Sequence, residues 1–285
     1  MDYVKPNQAL DEIVEAGAAK ADMGKGRMFV RGVLGGAILA CATTLAFTAA
    51  AQTKIPMAGA LIFPVGFVII ILLGLELVTG SFALIPLAVL RKRTTPGKML
   101  ANFAWVSIGH LVGCAVYGAL YGLTITKMGT DMSNPLIQTI ISASEAKTVA
   151  YKHLGFDGML LVIVKAMLCN WMVTLGAVIA FTSSSTIGKI AAMWLPILIF
   201  FGQGFEHAVV NMFVIPTGMM LGADVSFGDW WLWNQIPVLF GNLIGGALFT
   251  GLLLYLSHKD HKKAPEKAGA MFPPASPAEA TQYNT

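Results

Sequence analysis

A glutamate, a histidine and an asparagine stand inside an otherwise apolar stretch of the sequence, FGQGFEHAVVNMF, from Phe201 to Phe213. Histidine changes its charge state near neutral pH more readily than other side chains, so His207 could donate or accept a proton. Alternatively, it is a neutral histidine bonded to a backbone carbonyl. Glu206 is adjacent, and on a helix it would point about 100° away from His207. That geometry disfavours a shared metal site and no HExxH pattern is present, so we expect neither a metal nor a cofactor.

The composition places this stretch in a membrane protein. Of the 285 residues, 56% are hydrophobic and 12% are charged, with a mean hydropathy of +0.69, whereas globular domains carry about 25% charged residues. Apolar stretches of about 20 residues recur, the length that crosses a bilayer. The net charge of +4 falls on residues beside these stretches and does not indicate nucleic-acid binding. Cys41, Cys114 and Cys169 lie dispersed in apolar runs, which predicts packing rather than disulfides or a metal site.

We predict an all-α integral membrane protein with six spans. Four spans are continuous, at about 32–51, 103–125, 160–181 and 236–256. The second and fifth are over-long and interrupted, by GLELVTGS (74–81) and GQGFEHAVVN (202–211). Ahead of them, residues 7–20 predict an amphipathic helix that begins near Asn7 or Asp11. Its apolar stripe consists of Leu10, Ile13, Val14 and Ala18, and is weakened at Gly17.

The two interruptions predict broken helices. Gly74, Gly80, Gly202 and Gly204 tolerate unusual backbone angles. Backbone that leaves helical geometry at membrane depth must be buried in protein or line a wet cavity, because lipid cannot satisfy its hydrogen bonds. Two half-helices that point their N-termini inward would also make a partly positive centre, which favours an anion.

The sequence repeats itself in three short matches. RGVLGG at Arg31 resembles KAMLCN at Lys165, and GLE at Gly74 resembles GFE at Gly204. GHLVGCA, which begins at position 109, resembles GNLIGGA, which begins at position 241. The three matches come in the same order and at nearly the same separation, which indicates duplication. Because each unit has three spans, the two copies must be inverted in the bilayer, and their interface near the midplane is the expected pathway.

The polar residues in and near the breaks have alternative interpretations. We expect Glu206 to accept hydrogen bonds from N–H groups of the opposite break, and Glu76 to do the same for the other half. Thr79 offers a hydroxyl close to His207, or it caps a helix. Asn170 and Asn211 orient a substrate, or they tie helices together.

Lysines and arginines orient the chain. Positions 27, 31, 91–93, 98, 189, 259, 262 and 263 fall on one side, so the positive-inside rule places both termini in the cytoplasm. Three regions follow: a cytoplasmic amphipathic segment, 1–28; a transmembrane transport domain, 29–257, with repeats at about 30–126 and 160–257; and a Pro- and Ala-rich tail, 258–285, expected to be disordered.

Four motifs in this order resemble the formate/nitrite transporter family: GLELVTGS, LCNWMV, GFEHAVVNMFVIPTG and GNLIGG. The resemblance covers roughly residues 5 to 256. It implies an aquaporin-like six-helix protomer in the inner membrane and a homopentamer in which each protomer has its own pore.

The resemblance also implies residue roles. His207 matches the family's central histidine, Thr79 the opposing threonine, Glu206 the adjacent glutamate, and Asn170 and Asn211 the pathway asparagines. Lys152 matches the vestibule lysine, with Lys147 as the alternative. Phe63 and Phe200 are assigned to one hydrophobic constriction, and the other is assigned Phe67, Leu77, Val78 and Val173.

These features predict transport of small monovalent anions, formate first, by a channel-like or proton-coupled pathway, with nitrite, hydrosulfide or lactate as alternatives. A bare anion cannot cross two apolar rings, because removing its hydration costs many kcal/mol. A lysine would concentrate the anion, and His207 would either hand over a proton or stay protonated. A neutral-solute channel would want an Asn-Pro-Ala pair and an arginine filter. An enzyme with His207 as base and Thr79 or Ser81 as nucleophile would want a third catalytic residue and oxyanion donors. Neither pattern is present.

Overall fold

The computed structural model describes residues 2–258, and the regular secondary-structure elements within this range are all helices. The expected all-α fold is therefore confirmed. The predicted tail lies, from residue 259, outside the described residues. The helices are α1 (Pro6–Ala21), α2 (Lys25–Thr53), α3 (Pro56–Ile62), α4 (Pro64–Leu72), α5 (Val78–Leu90), α6 (Pro96–Ile125), α7 (Pro135–Ala146), α8 (Val149–His153), α9 (Gly155–Ile179), α10 (Thr186–Gly202), α11 (Ala208–Leu221), α12 (Phe227–Trp230), α13 (Ile236–Ile244) and α14 (Leu253–His258).

In the described part of the chain, four helical stretches are long and apolar enough to cross a membrane: Lys25–Thr53, Pro96–Ile125, Gly155–Thr182 and Phe227–His258. The last contains two π-helical segments, Trp231–Gln235 and Gly245–Leu252. Shorter apolar helices come in two pairs, α3–α4 with α5 and α10 with α11.

Within each pair, the two members are separated by a short non-helical segment, 73–77 in the first pair and 203–207 in the second. Gly74 and Gly204 adopt left-handed backbone angles there, with φ of +63° and +64°. These angles are strained for residues with a side chain, so glycine is favoured at both positions. Gly80 lies inside α5 and Gly202 ends α10, so these two glycines do not serve the same purpose.

Helix α1 packs its apolar stripe against α5. It begins at Pro6, because proline fits the first turn of a helix, so the start expected at Asn7 or Asp11 is slightly too late. Gly17 is part of the buried face and does not weaken it. A Cβ at this position would overlap the backbone oxygen of Leu84, so only glycine allows α1 to come this close.

We predict that Gly17→Val lowers the free energy of unfolding by about 1–3 kcal/mol, the usual cost of overpacking. The added side chain must displace α1 from the backbone of α5. Gly26→Val is the matched control, because a Cβ at Gly26 meets nothing within 4 Å. The thermal unfolding midpoint in detergent measures both variants. Equal midpoints for the two would contradict the packing.

The loop expected between the third and fourth spans contains two helices, α7 and α8, that the sequence analysis did not predict. Helix α7 packs on α11 as α1 packs on α5. The Ser144 hydroxyl donates to the backbone oxygen of Val214 at 2.8 Å. Leu84 is the α5 residue whose backbone oxygen lies against Gly17. Val214 follows Leu84 in the sequence by the same number of residues as Gly204 follows Gly74. The contact of α7 with α11 thus lies where the same separation along the sequence places the counterpart of the contact of α1 with α5.

Candidate functional site

His207 is the N-cap residue of α11, and its ring is buried between the two breaks. Its Nδ1 accepts a hydrogen bond from the backbone N–H of Val210 at 3.2 Å. Its Nε2 lies 3.0 Å from the hydroxyl oxygen of Thr79. In a neutral imidazole one nitrogen carries the proton, and an accepting Nδ1 leaves that proton on Nε2. Nε2–H therefore donates to Thr79, and the two breaks meet at this bond.

The first amides of the half-helices are capped by a histidine and an asparagine. The N–H of Val78, which opens α5, donates to Nε2 of His110 at 3.1 Å. The N–H of Ala208, which opens α11, donates to Oδ1 of Asn242 at 2.9 Å. The expectation that Glu76 and Glu206 cap the opposite breaks is wrong for these amides. Both glutamates form ion pairs with lysines instead of capping these amides, because a buried carboxylate requires a cationic partner.

Glu206 accepts hydrogen bonds from four side chains. Its partners are the Nζ of Lys147 at 2.9 Å, the hydroxyl of Tyr151 at 2.8 Å, the Nδ2 of Asn211 at 2.7 Å and, at 3.4 Å, the Nδ2 of Asn234. Burial and the neighbouring carboxylate raise the pKa of the Tyr151 phenol, so the phenol keeps its proton and donates it. A buried carboxylate with this many donors is held ionised and in one orientation.

Glu76 has a similar arrangement at the first break. The Nζ of Lys20 lies 2.8 Å from its Oε1, and the Ser81 hydroxyl donates to its Oε2 at 3.4 Å. The amide of Asn102 donates to the backbone oxygen of Lys20, as Asn234 does to that of Lys147. Lys20 and Glu76 line a cavity of about 310 Å³ that reaches Gly74 and Leu77.

Lys20 and Tyr151 are site residues that the sequence analysis missed. A signal for Lys20 was present, since it lies two helical turns after Ile13 and so extends the buried stripe of α1. Tyr151 had no comparable signal, because α8 is a single short helix with too little periodicity to reveal a face.

Lys152 and Lys147 occupy different surroundings. The Nζ of Lys152 pairs with Asp229 at 2.8 Å, and its side chain is 50% exposed. Lys147 is 19% exposed and reaches Glu206. The structure thus places the alternative, Lys147, beside the break, and turns Lys152 towards another partner.

Asn170 and Asn211 tie elements together and also keep an acceptor free. The Nδ2 of Asn170 donates to the backbone oxygens of Thr79 and Asn242, at 3.0 and 2.6 Å. That of Asn211 donates to Glu206 and to Asn234. The Oδ1 atoms of both residues are buried without a hydrogen-bond partner in the described part of the chain. Buried polar atoms are rarely left so, and such oxygens suit a water or a ligand donor.

The six apolar residues assigned to constrictions are all buried in a single cluster. The rings of Phe63 and Phe200 meet edge to face with centroids 5.7 Å apart. Phe200 also stacks on the His207 ring at 5.5 Å, and Phe201 stacks on Phe63 at 3.9 Å. The remaining residues of the set are Phe67, Leu77, Val78 and Val173. Among residues 2–258 no group of three or more potential metal ligands occurs.

The sequence profile described as Formate/nitrite transporter matches residues 7–256. The chain belongs to this family. Formate/nitrite transporters include channels and transporters rather than enzymes, so the chain is an integral membrane transporter and not an enzyme, as predicted.

Two relatives and one solved structure extend the comparison. An uncharacterized transporter, YrhG of Bacillus subtilis, is 31% identical and covers 92% of this formate/nitrite transporter and 96% of its own length. The formate channel BtFdhC of Bacillus thuringiensis is 29% identical, covering 91% of this chain and 97% of its own. A pentameric formate channel with formate bound superposes with a TM-score of 0.68 at 21% identity, over 83% of this chain and 98% of that one. That structure supports the same fold.

Proposed function

We propose that this family member transports formate, with a proton, along a pathway through the Thr79–His207 contact. The observation that carries the proposal is a neutral imidazole, bonded to a threonine where two helix breaks meet, with a Lys–Glu pair beside each break. In this proposal α3–α5 form one broken span and α10–α11 another, giving six spans in two inverted repeats. The formate channels among its relatives support formate over the other anions.

The two ion pairs make the approaches to the pathway suitable for an anion. An unpaired Glu206 or Glu76 would repel formate, and its lysine neutralises that charge. Lys147 and Lys20 each retain about a fifth of their side-chain surface in contact with solvent, so both can still attract an anion from water. Formate is held at these lysines and takes a proton from hydronium in the surrounding solution, which leaves water, because the neutral acid has a much lower cost of desolvation.

His207 serves as a hydrogen-bond donor in this mechanism. Its Nδ1 is occupied by the Val210 N–H, so a second proton on the ring would set two N–H groups against each other. A neutral ring that gave up its Nε2 proton would become an unfavourable anion. Neither the proton hand-over nor the stable imidazolium considered from the sequence fits these contacts as well as a neutral donor. Nε2–H can leave Thr79 to bind a substrate oxygen as it passes the stacked Phe200.

The assembly and orientation are part of the proposal. One formate channel of the same fold is described as pentameric, which supports a homopentamer for this chain. The lysines and arginines at one set of helix ends support an inner-membrane location with both termini in the cytoplasm. The first break and Lys20 then face the cytoplasm, whereas Lys147 lies towards the outer side. Nitrite is the second candidate, because the family profile includes its transporters.

Uptake of labelled formate into vesicles that contain the purified protein tests this function. We expect faster uptake than in protein-free vesicles and a fall of the internal pH, reported by a pH-sensitive dye. We also expect uptake to become faster as the external pH falls, because a proton accompanies each formate. Unlabelled nitrite serves as the competing anion. Uptake no faster than in protein-free vesicles would contradict the proposal. A formate current without internal acidification would contradict the co-transport of a proton.

A further inference from the structure

His110 is a second buried imidazole close to the pathway, and the mechanism above does not use it. It lies in α6 with no exposed surface. Its Nδ1 lies 2.8 Å from the backbone oxygen of Gly32, and its Nε2 accepts the N–H of Val78 at 3.1 Å. A backbone oxygen can only accept, so Nδ1 carries the proton and Nε2 is bare. The two partners therefore determine one neutral tautomer.

Asn242 makes the same two bonds in the other half of the chain. Its Nδ2 donates to the backbone oxygen of Ala166 at 2.8 Å, and its Oδ1 accepts the N–H of Ala208 at 2.9 Å. Asn242 is the second residue of GNLIGGA, as His110 is of GHLVGCA, and Ala166 is the second residue of KAMLCN, as Gly32 is of RGVLGG. An imidazole and a carboxamide therefore occupy equivalent positions. Both offer a donor and an acceptor for these two bonds, the carboxamide has a second N–H that donates to the backbone oxygen of Glu206 at 2.9 Å, and only the imidazole can be protonated.

The His110 ring is tightly packed. A Cβ on Gly35 would lie 3.3 Å from the ring carbon Cε1 and would overlap the backbone oxygen of Glu76. Nearby ionisable groups already have partners: Glu76 pairs with Lys20, the His207 ring bonds to Thr79, and the Cys114 thiol donates to the backbone oxygens of Gly36 and Val209. A proton on Nε2 would face the Val78 N–H directly. An imidazolium at this position would therefore lose the bond to Val78.

We propose that His110 is a positioning residue for the first break and not a proton carrier. By holding the N–H of Val78, it fixes the start of α5, and Thr79 is the next residue. The Thr79 hydroxyl is thereby kept 3.0 Å from Nε2 of His207. Its role is the one that Asn242 has at the start of α11. The inference rests on the proposed function, because it assigns His110 a part in the same formate pathway.

The experiment compares His110→Asn with His110→Leu in vesicle assays of labelled formate uptake across external pH. Asparagine restores a donor and an acceptor, as at Asn242, without a titratable group. We expect His110→Asn to keep uptake within about threefold of wild type and to leave the pH profile unshifted. Leucine leaves the Val78 N–H without a partner, and a buried unpaired donor of this kind is expected to lower uptake by about tenfold or more.

Gel filtration and the thermal unfolding midpoint establish that each variant is folded. A folded His110→Asn protein with a shifted pH profile, or with uptake lost, would overturn the proposal and make His110 a proton carrier. Wild-type uptake by His110→Leu would overturn it as well. Wild-type vesicles in the same series show whether formate is transported at all, so a failure confined to the His110 variants is distinct from a failure of the proposed function.

Discussion

Replacing His207 by phenylalanine is expected to lower formate uptake by about 5- to 160-fold. The substitution keeps an aromatic ring beside Phe200 but removes the Nε2–H that donates to Thr79. In the proposed pathway this is the donor available to a substrate oxygen in a water-poor segment. A buried acceptor that is left without its donor costs about 1–3 kcal/mol, and each 1.36 kcal/mol is a factor of about ten in rate. Initial rates of labelled formate uptake at several external pH values measure the effect.

His207→Asn is the matched control for that experiment. Phenylalanine also removes the cap of the Val210 N–H, a loss of about 1 kcal/mol in stability. Asparagine is a good N-cap residue and supplies a donor, so it keeps the start of α11 intact. We expect it to fold like wild type and to transport faster than His207→Phe. If His207→Phe moved formate at the wild-type rate and with the same pH profile, His207 would have no role in transport.

The non-helical residues at 73–77 and 203–207 fall where the sequence interrupts apolar runs with glycine and glutamate. Such an interruption is visible in one dimension, because it depends on the residue types at neighbouring positions. The left-handed glycines, 74 and 204, follow from the same local pattern. The apolar stripe of α1 was equally predictable, since it requires only helical periodicity within one short segment of the chain.

The partners of the two glutamates could not be predicted from the sequence. Lys20 lies 56 residues before Glu76, and Lys147 lies 59 residues before Glu206. No local pattern connects residues so far apart, and the choice between Lys147 and Lys152 depends on how α7 and α8 fold back. Those helices were missed because loop residues surround them and their apolar faces are short.

The role of Glu206 was misjudged for a related reason. A glutamate next to a helix start is a reasonable cap for free N–H groups, and nothing in the sequence shows that Asn242 reaches the same place from the last span. The match of GHLVGCA with GNLIGGA did mark both capping residues as equivalent. The repeat thus indicated that His110 and Asn242 are equivalent, but only the structure shows that they accept the N–H groups of Val78 and Ala208.

Replacing Lys147 by methionine is expected to abolish most formate uptake and to destabilise the protein, whereas Lys152→Met does neither. Lys147 is mostly buried and is the cation that neutralises Glu206. Removal of one member of a buried ion pair costs about 3–5 kcal/mol, because the other charge stays dry and unpaired. Glu206 would then also repel formate. Lys152 belongs to an exposed pair, which contributes about 0–1 kcal/mol. The unfolding midpoint and vesicle uptake measure both variants.

The double variant Lys147→Met with Glu206→Gln separates the structural effect from the transport effect. The Tyr151 hydroxyl and the Asn211 amide donate to different oxygens of the Glu206 carboxylate, and glutamine keeps one of these two acceptors. With both charges removed, we expect most of the lost stability to return, since the two side chains act as a unit. Uptake should stay low, because no cation attracts formate at this break. A double variant that transports formate at the wild-type rate would show that the Lys147 charge is not needed. If Lys152→Met lost uptake while Lys147→Met kept it, the vestibule lysine would be Lys152 despite its contact with Asp229.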